Sequence, residues 1–127
     1  MNLEKVVFAF FIVLALTLNF GFFLGEIDNP DHHDAFELAA ALAVSLIATV
    51  VKFGDQSQMG AVLLATSLVA DLQLITAVLI WVYSAYATDS GVTSEILASV
   101  VSLSGGALLA NLVSVTLLVG ETLSIRR

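Results

Sequence analysis

Apolar and polar residues fall along this chain in long blocks, not at the period of a strand or of a surface helix. Four apolar segments cover about residues 5–25, 35–53, 58–87 and 95–124. Each reaches the roughly 17–25 residues that a helix needs to cross a bilayer. The third and fourth exceed that length and are expected to tilt, kink or protrude. The first segment lies in "MNLEKVVFAFFIVLALTLNFGFFLGEI". It is longer than a signal peptide's apolar core of about 7–15 residues, and no A-x-A cleavage pattern follows it, so it reads as a retained membrane helix.

The polar connectors carry helix-start signals. "DNPDHHD" holds the only proline, and Asp34 and Glu37 stand at capping-box spacing, with Asp34 as N-cap of the second helix. In "GDQSQ" the same spacing nominates Asp55 as N-cap of the third helix, three residues before Gln58. "TDSGVTSE" offers Thr93 or Ser94 as cap of the fourth. Short loops make consecutive helices antiparallel neighbours. The expected fold is an all-α integral membrane protein: one transmembrane domain over residues 1–127, four transmembrane helices, short loops.

Charge orients this bundle. Lys5 precedes the first segment, Lys52 follows the second, and Arg126 and Arg127 follow the fourth. With four spans and a cytoplasmic N-terminus every base lies inside, the positive-inside pattern, and an odd number of spans breaks it. Both termini are therefore expected in the cytoplasm of a plasma (inner) membrane. The acids Glu26, Asp28, Asp31, Asp34, Glu37, Asp89 and Glu95 then fall outside, and Glu4, Asp55 and Glu121 inside. Trp81, Tyr83 and Tyr86 suit an interfacial belt at the outer end of the third span.

Composition narrows the class further. The chain is 59% hydrophobic and 12% charged, against about 45–50% and about 25% in soluble domains. A soluble protein of this balance has too little polar surface to cover itself. The absence of cysteine excludes disulfides, thiolate metal sites and cysteine nucleophiles. No basic patch exists, so nucleic acid is excluded as a partner. There is no H-E-x-x-H, no G-x-S-x-G and no phosphate-binding glycine loop, so no enzyme is expected. "KFGDQSQMG" has the Gly-Asp pair that ends potassium-channel filters without the preceding Thr-Val-Gly-Tyr run, and it reads as a turn and cap.

Against that apolar background Asp71 stands out. It lies ten positions before Trp81, and at about 1.5 Å per residue it falls near mid-bilayer. An Asp there costs roughly 2.5–3.5 kcal/mol on insertion scales, so it is offset by a partner, by water or by protonation. No base within a span is available to pair with it. Gln73, Asn111 and Asn19 lie at depth as well, accompanied by Thr17, Ser45, Thr49, Thr66, Ser67, Thr76, Ser102, Ser104 and Ser114. Gln73 projects about 200° from Asp71 on an intact helix, so the two are expected on different faces. In the fourth span Ser99, Ser102, Gly106 and Ala110 form one small-residue face, and Ser104, Ala107, Asn111 and Ser114 an adjacent one. With Gly21, Gly25 and the alanines of the second span, these predict close helix packing and self-association into a symmetric homo-oligomer.

The resulting expectation is an oligomeric cation channel or cation-translocating protein in a lipid bilayer. Glu26, Asp28, Asp31, Asp34 and Glu37 would form an acidic outer vestibule that concentrates inorganic cations. Asp71 would bind the ion or a proton, with Gln73, Asn111 and Ser67 adding neutral oxygen ligands. Such ligands suit hard cations, without choosing among sodium, potassium and calcium, and no cofactor is implied. The alternative is a non-transporting accessory or scaffold subunit, in which a protonated Asp71 holds helices together through neighbouring polar groups. A third reading takes His32 and His33 as ligands of an extracytoplasmic metal sensor, although adjacent histidines without a second spaced pair are a weak zinc signal.

Overall fold

The computed structural model of the protein describes residues 3–26 and 28–126; Arg127 and the side chains of Ile125 and Arg126 lie outside the described residues. Four α-helices account for most of the chain: α1 (Leu3–Phe23), α2 (Ala35–Lys52), α3 (Gln58–Ala87) and α4 (Ser94–Arg126). A short 3-10 turn, Pro30–His32, interrupts the connector between α1 and α2. All four helices are long and apolar enough to cross a membrane. In hydrocarbon every backbone N–H and C=O must find its partner inside the segment, and the helix is the element that achieves this without a neighbour.

The helices stand at the corners of a square. α1 packs on α2 and α4, and α3 packs on the same two. The inward positions recur every seven residues. Phe8, Ala15 and Phe22 alternate with Ile12 and Asn19 on α1; Leu38, Ser45 and Lys52 with Ala41 and Ala48 on α2. On α3 the series is Gly60, Ser67 and Leu74 with Leu63, Ala70 and Ala77; on α4 it is Leu97, Ser104 and Asn111 with Val100, Ala107 and Ser114. A strict seven-residue seam stays facing its partners only if the helices wrap round one another with a left-handed twist. Many of these seam residues are Ala, Ser or Gly. Lipid is as apolar as leucine, so the helices gain from backbone approach and interhelical contact, and small side chains permit both. Leu72, Leu79 and Leu109 point the other way and are about two-thirds exposed, as suits a surface that meets acyl chains.

Three helix starts test the capping signals. Asp34 caps α2, its carboxylate accepting from Phe36 N at 2.9 Å. Glu37 does not close the capping box; its carboxylate lies against Gly21 of α1, where a Cβ would otherwise sit. Thr93 caps α4 by accepting from Ile96 N at 3.3 Å. For α3 the expectation of Asp55 is corrected. The cap is Ser57, whose hydroxyl accepts from Gly60 N at 3.0 Å. Asp55 instead braces that cap, its Oδ1 taking the Ser57 amide at 2.9 Å and hydroxyl at 2.7 Å. α1 stops short of the expected residue 25 because the chain passes Gly25 at φ +102, with His32 packed where a side chain would go.

The two ends of the bundle differ in charge. At the end where α1 begins, Lys52 is almost wholly buried and pairs with Glu4 at 3.2 Å and Asp55 at 3.4 Å, its ammonium 4.4 Å above the Phe8 ring. Lys5 meets Glu121 at 3.6 Å. The acids assigned to that end are thus partners of its bases. At the opposite end Glu26, Asp28, Asp31, Asp34, Asp89 and Glu95 are exposed.

Two outcomes follow from this packing. Ala70 is fully buried at the centre of the bundle, so Ala70→Leu should lower stability by about 1–3 kcal/mol through overpacking. Leu79→Ala, on the lipid face, should change it by less than about 0.5 kcal/mol; unfolding titrations in mixed micelles compare them. The Ser57 hydroxyl and amide, ahead of Lys52, hold the Asp55 carboxyl below its ordinary value. A carboxyl whose pKa is lower in the folded state stabilises that state above the ordinary value of about 3.9, and the gain is lost as pH falls through the lower folded value. Asp55→Asn should therefore flatten the acid limb of the pH–stability curve.

A polar column inside the bundle as candidate functional site

Helix α2 presents two hydroxyls to α3. Ser45 and Thr49 are one turn apart on α2, and Asp71 reaches across from α3. Ser45 Oγ donates to Asp71 Oδ1 at 2.6 Å, and Thr49 Oγ1 lies 2.5 Å from Asp71 Oδ2. Thr49 Oγ1 is also 3.0 Å from the Ser45 carbonyl. Asp71 is 5% exposed. This cluster is satisfied in either protonation state. An ionised Asp71 accepts from both hydroxyls. A protonated Asp71 donates from Oδ2 to Thr49, whose own proton then goes to the Ser45 carbonyl, while Ser45 continues to donate to Oδ1.

Further polar side chains line the seams above and below. Toward the acidic end, Ser104 of α4 donates to Asn19 Oδ1 of α1 at 2.5 Å. Toward the other end, the Thr66 and Ser114 hydroxyls meet at 2.5 Å between α3 and α4. Ser67 is one turn from Asp71 on α3. The Thr66–Ser114 contact sets the α3–α4 register, which places Asn111 within about one turn of Ser67. Ser67, Asn19 and Asn111 are fully buried. Among the described residues five buried side-chain atoms have no hydrogen-bond partner: Asn19 Nδ2, Ser67 Oγ, Gln73 Oε1 and both Asn111 amide atoms. Such a group forfeits about 1–3 kcal/mol when left unpaired, and native proteins hold few of them.

The expected ligand set therefore divides. Asp71, Ser67 and Asn111 share the bundle interior. Gln73 does not join them: it lies in the α3–α4 seam with its amide against Gly106, in the space a Cβ would occupy. The roughly 200° rotation from Asp71 predicts that separation. Ser45, Thr49 and Asn19 enter the site with more weight than their place among many polar residues suggested. The signal for Ser45 and Asn19 was the seven-residue seam they share with buried apolar residues, Thr49 lies one turn from Ser45, and only the pairing of seams shows which hydroxyl meets which acid.

The other candidates lie at the acidic end. Glu26, Asp28, Asp31 and Asp34 are exposed around the α1–α2 connector, and Glu37 is tucked against α1. His32 is turned toward the backbone of its own connector, and His33 toward carbonyls of the connector and of the end of α1. Among the described residues no three His, Cys, Asp or Glu side chains stand together as a metal site would need.

A family model matches residues 32–122, which take in α2, α3 and nearly all of α4: DUF6394, a family of unknown function. The chain belongs to this family. No curated protein and no solved structure matches it. Within DUF6394 the matched stretch holds Ser45, Thr49, Ser67, Asp71, Gln73 and Asn111, and leaves out Asn19 with the rest of α1.

Removing a hydroxyl that grips Asp71 should destabilise the bundle, and removing an unpartnered amide should not. Ser45→Ala and Thr49→Val are each expected to cost about 0.6–1.7 kcal/mol, from the average to the upper end for interhelical hydrogen bonds in membranes. Asn111→Leu, of similar volume, should be neutral or stabilising because its amide makes no bond to lose. Reversible unfolding in micelles, with a Thr49→Val/Asp71→Asn cycle, measures both.

Proposed function

We propose that the protein moves cations or protons across a membrane by way of the polar column around Asp71. The observation that carries this reading is the fully buried Asn111, whose amide has no protein partner, in a bundle interior that also holds Asp71 and an unpaired Ser67 hydroxyl. A closely packed membrane core gains nothing from such groups. A passing proton, water or ion makes use of them. An Asp71 site that is satisfied with and without its proton is suited to taking one up and giving it away. Oxygen ligands from Asp71, Ser67 and Asn111 suit sodium, potassium or calcium equally.

The charge asymmetry supports the direction of entry. The uncompensated carboxylates at one end attract cations and repel anions, an effect that salt weakens. In this reading the acidic end faces outward and both termini lie in the cytoplasm of a plasma (inner) membrane, as the placement of bases requires. Self-association into a homo-oligomer is part of this reading, although most of the small residues expected to drive it pack within the bundle. The conduction path runs through each bundle, because Asp71 is turned to α2 of its own chain.

A second reading, an accessory or scaffold subunit without transport of its own, rests on that same contact. Both Asp71 oxygens already hold hydroxyls of α2, which is what helix glue does.

Flux measurements in proteoliposomes separate the two. Proton and cation gradients are applied to wild type, Asp71→Asn and Asn111→Leu. The transport reading expects wild-type flux that both substitutions abolish while the bundle remains folded. No wild-type flux under any gradient, with incorporation confirmed, assigns the protein to the accessory class.

A further inference from the structure

We infer that His33 is a proton-binding clasp, which closes the α1–α2 connector onto the end of α1 when the imidazole is doubly protonated and releases it when the imidazole is neutral. His33 Nδ1 lies 2.6 Å from the Phe22 carbonyl oxygen, and Nε2 lies 2.6 Å from that of Glu26. A carbonyl oxygen only accepts. Both ring nitrogens must therefore donate, and only the imidazolium form has a hydrogen on each. In a neutral ring one nitrogen lone pair faces a carbonyl lone pair at that distance, and the contact turns from attraction to repulsion.

The surroundings supply acceptors to both ring nitrogens. Phe22 is the penultimate residue of α1, so its carbonyl is among the last four that no helical amide satisfies. A positive charge there also meets the negative end of the helix dipole. The Glu26 amide, which would reach Phe22 in a longer helix, donates instead to His32 Nδ1 at 2.8 Å. His32 thus uses that nitrogen as an acceptor, and the adjacent rings need opposite protonation states. His33 is 4% exposed, with its ring 5.4 Å from that of Phe22. The ionisable groups of this end are His32, Glu26, Asp28, Asp31, Asp34 and Glu37 on the connector and α2. The far end of α3 adds Tyr83 and Tyr86, and the α4 side adds Asp89 and Glu95. No Lys or Arg lies between residues 5 and 52 or between 52 and 126. Every fixed charge around the clasp is negative.

The clasp reaches the bundle core through Phe22, whose ring packs edge-on to Trp81 at 6.2 Å. Opening therefore frees both the acidic connector and a core aromatic at the mouth of the column. This inference stands whether or not the column transports anything.

Hydrogen exchange of the intact protein in nanodiscs, corrected for the intrinsic pH dependence of exchange, tests it on peptides covering residues 22–34. A connector that closes with uptake of one proton opens up to about tenfold more readily per pH unit as pH rises. Wild type is expected to show that alkaline loss of protection, His32→Asn to retain it, and His33→Asn to be open throughout with no alkaline transition. Protection in wild type that does not vary between acid and alkaline pH overturns the clasp, and this arm needs no variant to fold. An alkaline transition that persists in His33→Asn overturns it equally, because the titrating group is then another.

Discussion

The contact of one carboxyl group with two hydroxyls across the α2–α3 seam depends on a constraint that governs the whole molecule. In a bilayer no water stands ready to satisfy a polar group, so each must find its partner in the chain. Asp71 finds Ser45 and Thr49 because α2 packs on α3, and both helices turn small residues inward, Ala41 and Ala48 on one and Ala70 and Ala77 on the other. The small seam and the buried acid are therefore parts of one arrangement. A larger residue at the seam would part the helices and leave the carboxyl group without donors.

That constraint also gives the unpaired atoms their meaning. Asn19 and Ser104 meet across α1 and α4, and Thr66 and Ser114 across α3 and α4. Asn111, at the same depth as the rest of the column, meets nothing. Leucine at this position would pack as well as an amide that makes no bond. A polar column with satisfied and unsatisfied members differs from simple glue in this respect, and it lies between an end where acids pair with bases and an end of exposed acids.

The charged ends follow the same logic in a wetter place. Lys52 is buried yet keeps two carboxylates and an aromatic face; Glu4 and Asp55 face it, and Asp55 also braces the adjoining cap. At the other end the acids have no bases to meet. There the His33 ring is held between two backbone carbonyls, one of which the end of α1 leaves over.

Hydropathy blocks alone determined that four helices form and about where they begin and end, because span length is set by bilayer thickness and not by neighbours. Caps such as Asp34 and Thr93 were legible because they act within one turn of their own position. Asp71 was marked as exceptional by its apolar surroundings, and the helical rotation between it and Gln73 already set them apart. What the sequence did not determine is which seam meets which. Only the tertiary structure decided that Asp71 faces Ser45 and Thr49, that Asn111 is left unpaired, and that His33, one of two adjacent and chemically identical residues, is the buried one. These depend on the relative rotation and register of helices far apart in the chain, which no local pattern encodes. The exchange of the Asp55 cap for Ser57 has the same cause on a smaller scale: the loop folds Asp55 back toward Lys52, and the next hydroxyl takes the helix end.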